Sequence, residues 1–325
     1  MKNKIFIILL YFIFISENFL KANEFIIESE EVKILEKGNI TEAKKGVKII
    51  SNDGIEIISN ELIYNKNKNT LKVSGDVQIK DKRNNIITKG EEYIYYKNIE
   101  KLESKGKTSS KIQDKYTIES LDLIYERSLS KIHSQNKSNI IDQNNNNFSF
   151  DKFEFNINSN ILKAKDLSLF DNLNNEYYLS FAVINLRENK FLGSDVSIDF
   201  EDSLFGNNEN DPRLKANSLI AENNETKVYK GSFTTCKQNK DKCPPWAIYA
   251  EEVVHKKKER KIEYKNAWLK IYDKPVLYFP YFFHPDPTVK RQSGFLMPSF
   301  QSSNNSGTSL QIPYYKVISD RKDLT

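Results

Sequence analysis

The 325-residue sequence is poor in the residues on which most active sites and metal sites depend. It contains 3 His, 2 Cys and 2 Met, and no His stands at ligand spacing from a Cys. No glycine-rich phosphate loop, nucleophile elbow or paired metal-ligand motif occurs in it. The sequence therefore predicts no enzyme activity, no metal site and no cofactor.

Long apolar runs are also missing after residue 22, and no segment shows helical periodicity of useful length. A helix that crosses a bilayer takes roughly 20 apolar residues, so any crossing must use a closed β-barrel. Hydrophobic residues make up 38% of the chain and charged residues 29%, which favours thin β layers over one large core. The net charge of +5 comes without a basic cluster interleaved with aromatics, so no nucleic-acid partner is predicted.

The amino terminus has the pattern of a secretory signal. Lys2 and Lys4 precede an unbroken apolar run of eleven residues, Ile5 to Ile15, and Ala22 offers a small residue for cleavage. The alternative, a membrane anchor, is disfavoured because the run is shorter than the roughly 20 residues that span a bilayer. We therefore expect residues 1–22 to be a signal peptide.

Export determines how the cysteines are interpreted. In an oxidising compartment, Cys236 and Cys243 are disulfide candidates. A zinc site is the rival interpretation for two cysteines. A zinc site would need further ligands beside the two cysteines, and His133, His255 and His284 are scattered along the chain.

A hairpin-like unit repeats along the rest of the chain. In its first clear copy, Ile58 to Ile79, two runs of alternating apolar and polar residues flank a turn rich in Asn and Lys. An aromatic residue recurs at intervals of 31, 30 and 30 residues, at Tyr64, Tyr95, Tyr125 and Phe155. One hairpin cannot bury its apolar face alone, so the copies must share a core. The sequence predicts an all-β fold, an elongated β-jelly roll of repeated hairpins.

The inward-facing positions of these hairpins are candidates for the lining of an apolar trough between two sheets. They are Tyr64, Leu71, Val73, Tyr95, Tyr125 and Phe155. A β-rich scaffold with a filled core is the alternative that the pattern leaves open. The outer strands of such an array would have unpaired edges, to which another β protein can add a strand.

The sequence from about Gly231 onward carries more specific motifs. They are FTTC (Phe233 to Cys236), NAWLKIYDKPVLYFPYF (Asn266 to Phe282), KRQSGFLMPSF (Lys290 to Phe300) and LQIPYY (Leu310 to Tyr315). The hairpin units resemble the OstA-type domain of periplasmic lipopolysaccharide-transport proteins. Together with these motifs, nearly the whole chain resembles the LptD family of outer-membrane lipopolysaccharide-assembly proteins.

The resemblance implies non-enzymatic lipopolysaccharide transport. Residues 23–272 would be a periplasmic OstA-like jelly roll, and residues 273–325 a linker and the first strands of an outer-membrane β-barrel. The jelly roll would receive lipopolysaccharide from an LptA-like bridge protein by strand addition and pass it to a barrel with a lateral gate. An LptE-like lipoprotein would plug that barrel. The implied location is the outer membrane, with the amino-terminal domain in the periplasm.

The resemblance also implies roles for two prolines and two cysteines. Pro298 and Pro313 match family prolines that loosen the first barrel strands beside the gate, since proline removes a ladder donor; a plain strand end is the alternative. Cys236 matches a family cysteine that bonds one in the distant carboxy-terminal part. Cys243 departs from that pattern, so a Cys236–Cys243 bond and separate bonds to later cysteines both stay open.

The sequence leaves open two alternatives to transport by an LptD-like protein. One is a free-standing periplasmic bridge protein of the same fold, against which the barrel-like residues 276–325 argue. The other is a structural β-repeat protein that binds no lipid.

Overall fold

The computed structural model describes residues 25–143, 145–171, 174–202, 210–237, 244–286, 289, 293–295, 299–303, 307–319 and 322–325. Strands dominate these residues, and none of their helices is long and apolar enough to span a bilayer. The predicted signal peptide, Cys243 and Pro298 lie outside them. The chain divides into two compact units, Met1–Ser130 and Lys131–Thr325.

The first unit is an antiparallel arrangement of strands with two short 3-10 turns, Glu36–Gly38 and Lys97–Ile99. Its strands are β1 Phe25–Glu28, β2 Glu31–Leu35, β3 Ile40–Ser51, β4 Ile55–Asn65, β5 Thr70–Asp81, β6 Ile86–Tyr96, β7 Lys101–Ile112, β8 Tyr116–Leu121 and β9 Ile124–Glu126. Strands β3 to β7 pair in chain order. β1 and β2 pair with opposite ends of β3, and β8 and β9 with opposite ends of β7.

A β-bulge interrupts each long pairing near its middle. Bulges bend the strands that carry them. At Gly75 the backbone φ is +77°, and a Cβ there would lie 2.8 Å from Asn60 Nδ2. The bulge in β5 thus requires a residue with no side chain, both for its left-handed backbone and for the close approach of Asn60.

Each bent strand contributes one half to each of two half-sheets. Half-sheet A contains the strand halves beside the turns at 52–54, 82–85 and 113–115, which we call row A. Half-sheet B contains the strand halves beside the turns at 36–39, 66–69, 97–100 and 127–130, which we call row B. Backbone hydrogen bonds link neighbouring turns within each row, such as Lys82 N to Gly54 O (3.0 Å) and Lys97 N to Asn69 O (3.0 Å). Buried side chains of both half-sheets line one cavity, so the half-sheets face each other. This jelly-roll-like arrangement confirms the predicted fold class.

The 30-residue spacing of aromatic residues follows from the pairing register. Across half-sheet B, Tyr64 pairs with Leu71, and Leu71 pairs with Tyr95. Leu102 then lies between Tyr95 and Tyr125. Because one repeat is two antiparallel strands long, each repeat returns its aromatic ring to the same level of the sheet. The repeated hairpins predicted from the sequence are successive pairs of strands in this sheet.

The second unit is also built from antiparallel strands. They are β10 Lys131–Ser134, β11 Ser138–Asp142, β12 Asn147–Phe150, β13 Lys152–Asn156, β14 Ile161–Phe170, β15 Glu176–Asn185, β16 Lys190–Asp199, β17 Arg213–Ala221, β18 Glu225–Thr234, β19 Trp246–Lys256, β20 Lys261–Ile271, β21 Lys274–Pro285, β22 Gly294–Phe295, β23 Ser299–Ser303, β24 Gly307–Gln311, β25 Tyr314–Ser319 and β26 Lys322–Leu324.

The aromatic segment that begins at Val276 is strand β21, which pairs with β20. On one face, the Phe282 ring stacks on the buried Tyr264 with centroids 4.3 Å apart and planes 4° from parallel. Other large side chains of the pair, Trp268 and Tyr278, are more than a third exposed. β21 therefore closes a small core of the second unit on one face and leaves aromatic rings in contact with solvent.

Candidate functional site

The interior of the first unit is the candidate site. Of the six predicted lining residues, Leu71, Val73, Tyr95 and Tyr125 are buried there, and Tyr64 is half-buried on the same half-sheet B. The sixth, Phe155, is buried in the second unit. The structure thus brings five of the six residues onto one wall of a single interior.

The opposite wall comes from half-sheet A, whose inward residues are not among the six predicted lining residues. Ile57 and Ile79 on this wall face Leu102 and Tyr95 across a cavity of about 10 Å³. A cavity of that size has room for about one water molecule. The apolar interior is therefore closely packed, and its two walls must separate to admit an acyl chain.

Buried hydroxyl groups line the interior near the bend of the strands. Thr88 Oγ1 lies 2.8 Å from Tyr93 Oη and 2.7 Å from Ser110 Oγ, and Thr108 donates to Ser104 Oγ at 2.7 Å. Burial raises the pKa of Tyr93 to about 12, although its hydrogen bonds lower it in part. These groups satisfy one another, so the bend is a closed polar boundary to the apolar interior.

A buried arginine occupies the opposite boundary, where the two rows of turns meet. The Arg127 side chain is 1% exposed. Its Nε donates to Asp81 Oδ2 at 3.1 Å, and its Nη2 donates to the carbonyl oxygen of Asp53 at 2.6 Å. Its Nη1 bonds the carboxylates of Asp53 and, at 3.5 Å, Glu100. The Arg127 guanidinium thus forms ion pairs with three carboxylates, those of Asp53, Asp81 and Glu100.

Neighbouring polar side chains hold Asp81 in place. Tyr125 Oη donates to Asp81 Oδ2 at 2.6 Å, and Asn84 Nδ2 donates to the same oxygen at 3.0 Å. Burial alone would raise the pKa of Asp81, but the hydrogen bonds from Tyr125 and Arg127 and the Arg127 charge hold it below its ordinary value. Burial alone would lower the pKa of Arg127, but the hydrogen bonds to Asp81 and the charge of Asp81 raise it above its ordinary value. Both groups are charged at neutral pH.

These contacts join the two rows of turns. In residues 25–130 the backbone hydrogen bonds between turns run within one row or the other, whereas the Arg127 contacts pass from row B to Asp53 and Asp81 in row A. Beside them, the Phe25 ring of β1 packs edge-on against Tyr64 and Tyr95, with centroids 6.2 and 6.3 Å away. We name this boundary the closing seam; it consists of Phe25, Asp53 and Asp81 on the side of half-sheet A and Tyr64, Tyr95, Glu100 and Arg127 on the side of half-sheet B.

The first strands form an apolar edge of the unit. Val32 and Ile34 on β2 are 50% and 70% exposed, and Ile26 on β1 is 54% exposed. Among the described residues, β3 is the strand with which β1 and β2 pair. An exposed strand with apolar side chains is a template for strand addition.

The remaining predicted residues lie in the second unit. Cys236 is half-buried, and its backbone N–H donates to Thr234 Oγ1 at 3.2 Å. Its pairing stays a prediction, because Cys243 is outside the described residues. Pro313 stands between β24 and β25 and is half-buried, and Pro298 is not among the described residues. Their role in a gate also stays a prediction.

Two family profiles match the chain, one described as "OstA-like protein" over residues 12–128 and one as "LptD protein" over residues 262–325. The chain is 39% identical over 110 residues to the LPS-assembly protein LptD of Pseudoalteromonas translucida, which covers 34% of this chain and 14% of that protein. It is 33% identical over 140 residues to LptD of Idiomarina loihiensis, covering 41% and 18%. Together, the two profiles and these relatives support an LptD-family protein.

The family resemblance drawn from the sequence motifs is thereby confirmed. The matched part of this chain spans 14% and 18% of the length of these two relatives, less than a fifth of each. Among solved structures, LptH, the LptA-homologous periplasmic component of the lipopolysaccharide transport device of Pseudomonas aeruginosa, aligns with 44% of this chain and 82% of its own. That alignment has 11% sequence identity and a TM-score of 0.21.

Proposed function

We propose that this LptD-family chain carries lipopolysaccharide to the outer membrane, holding the acyl chains between half-sheets A and B of the first unit. The observation that carries the proposal is the pair of facing apolar walls, with Ile57 and Ile79 on one and Leu71, Val73 and Leu102 on the other. Each methylene group moved from water into such an interior contributes about 0.8 kcal/mol. A lipid with several acyl chains would therefore be retained without any covalent step, and the function would be non-enzymatic.

The intake would occur at the apolar edge of the first unit. A periplasmic LptA-like bridge protein would add a strand beside β1 and β2, where Val32 and Ile34 are exposed. Main-chain hydrogen bonds supply affinity in this mode of binding, and side-chain contacts supply selectivity. The bridge would then present lipid to the interior of the first unit.

Delivery would involve the carboxy-terminal residues. Residues 273–325 would lead into the first strands of an outer-membrane β-barrel plugged by an LptE-like lipoprotein. Pro298 and Pro313 would weaken strand pairing beside a lateral gate. The amino-terminal domain would accordingly lie in the periplasm.

Photo-crosslinking tests the proposal. A photoreactive residue at Val73, which is 2% exposed on the interior wall, should crosslink to lipopolysaccharide in cells. The control position is Ile63, which lies on the neighbouring strand β4 and is 45% exposed. Equal crosslinking at the two positions, or none at Val73, would reject the transport function.

A structural β-repeat protein with a filled core is the second candidate. The cavity of about 10 Å³ favours it, since small-molecule sites typically enclose about 300–1,000 Å³. This candidate predicts that Val73 never crosslinks to lipid, so the same experiment decides between the two.

A further inference from the structure

We propose that the closing seam is the route by which acyl chains reach the interior of the first unit, and that Arg127 is the latch that holds it shut. This inference rests on the proposed function, because it assigns that function a point of access and a residue that controls it. It follows from three features of the first unit: how its walls are joined, the chemistry of the contact that joins them at the seam, and the position of the seam beside the apolar interior.

The way the walls are joined singles out the seam. At the bend, each of β3 to β7 runs continuously from half-sheet A into half-sheet B, so covalent backbone connects the walls there. Along each half-sheet, backbone ladders connect neighbouring strands. At the seam, the contacts of Arg127 with Asp53 and Asp81 are made by its side chain. The seam is therefore the boundary at which the walls can part without the loss of a backbone ladder.

The chemistry of the contact suits a closure that can reopen. Arg127 and Asp81 are almost fully buried, and the desolvation of such charges offsets much of their mutual attraction. When the seam opens, water solvates every one of these charges again. Apolar surfaces brought into water gain no such compensation. A charged seam thus opens at a lower cost than an apolar one of equal area.

The position of the latch fits the lipid that would pass it. The cavity is lined by Asp81, Glu100 and Arg127 at the seam and by Ile57 and Leu102 deeper inside. Acyl chains that enter through the seam would lie against the aliphatic residues. The saccharide part would stay beside the charged turns and solvent. An amphiphile at the seam would therefore have its apolar part in the apolar interior and its polar part among the polar turns.

Cysteine accessibility tests the latch in the full chain. With Cys236 and Cys243 replaced by Ser, single cysteines are introduced as Ile57→Cys beside the cavity or Val47→Cys beside the bend; the parent side chains are 1% and 0% exposed. The rate of maleimide labelling is measured with Arg127 intact and in Arg127→Gln and Asp53→Asn. The matched charge control is Lys44→Gln, which removes an exposed ion pair with Glu61.

The latch predicts that Arg127→Gln accelerates labelling of the Ile57→Cys thiol by about tenfold or more, because a buried partner is lost. Asp53→Asn should accelerate it by less, since Asp81 is retained. Labelling of the Val47→Cys thiol should change little in either variant, and the Lys44→Gln control should leave both thiols as they were. An unchanged rate for the Ile57→Cys thiol would overturn the latch. Equal acceleration of both thiols would also overturn it, since that is general unfolding rather than opening at the seam.

Lipid access is scored separately by crosslinking of lipopolysaccharide from Val73. The inference predicts that crosslinking rises in Arg127→Gln as the seam opens. If the seam opens but Val73 never crosslinks in any variant, the proposed function fails while the seam remains a mechanical closure. If Val73 crosslinks equally whether or not the seam is latched, lipid uses another route and the access assignment is wrong.

Discussion

Arg127 and Asp81 are 46 positions apart in the sequence and join the two rows of turns, with Nε of the arginine 3.1 Å from Oδ2 of the aspartate. The contact lies at the end of the first unit's apolar interior. It is buried, whereas the surface ion pair between Lys44 and Glu61 has both side chains about half exposed. The two pairs therefore differ in how much water each partner gives up.

Loss of Arg127 should destabilise the first unit strongly. Arg127→Gln leaves Asp53, Asp81 and Glu100 without their shared cation, and an unpaired buried charge costs about 3–5 kcal/mol. The free energy of unfolding, measured by urea titration of the full chain, should fall by that order. The exposed counterpart Lys44→Gln should cost no more than about 1 kcal/mol. A loss from Arg127→Gln as small as that of the control would contradict the role of Arg127 as the buried cation that these three carboxylates share.

Acid should weaken the seam through Asp81. Its pKa in the folded chain lies below its ordinary value of 3.8, so the folded state binds this proton less tightly than the unfolded chain does. The resulting stabilisation is complete above the unfolded pKa and is lost as the pH falls through the lower, folded pKa. The gap in Tm between the wild type and Asp81→Asn should therefore be constant near neutrality and narrow below about pH 4. A difference in Tm that widens in acid would contradict a lowered pKa of Asp81 in the folded chain.

Two glycines with nearly the same backbone separate steric crowding from backbone strain. Gly75 has φ +77° and Gly106 has φ +78°, but only at Gly75 would a Cβ meet Asn60 within 3 Å. Gly106→Ala should cost about 1–2 kcal/mol from its left-handed backbone alone. Gly75→Ala should cost more, because Asn60 must move as well. The difference between the two, measured by chemical denaturation, isolates the contact; equal losses would show that Asn60 yields freely.

A charge on the exposed edge strand should block strand addition. Ile34 on β2 is 70% exposed, and a lysine at an edge hinders pairing with another strand. Ile34→Lys should reduce crosslinking of the chain to the periplasmic bridge without lowering its Tm. The matched variant is Ile63→Lys on β4, which has strand partners on both sides. A similar reduction in both variants would place the bridge elsewhere.

The sequence pattern was sufficient to predict the hairpins and one wall of the interior. Alternation with period two determines which side chains point inward, and the aromatic residue that recurs every 30 or 31 positions marks half-sheet B. The same alternation places Arg127 on the side of Tyr125 and Leu123, and Asp81 on the side of Ile79. A charged residue at an inward position was therefore visible in the sequence, although the aromatic repeat did not single it out.

The pairing of those charges was not predictable from alternation. Arg127 and Asp53 lie at turns on opposite ends of the strands, and they meet only because bulges bend every strand at the same level. Bulges depend on local backbone geometry at residues such as Gly75, which a polar pattern does not specify. For the same reason the residues of half-sheet A could not be identified from the sequence as the second wall of the predicted trough.

The repeat of two strands has a consequence for how such a chain can change in length. Each hairpin carries its own bulge and its own pair of turns, one turn for each row. Removal of the roughly 31 residues between equivalent aromatic positions would shorten the stack by one whole module and leave neighbouring turns in register. Deletion of a single strand would instead move every later turn from its own row to the other row. Insertions and deletions in this region should accordingly come in whole hairpins.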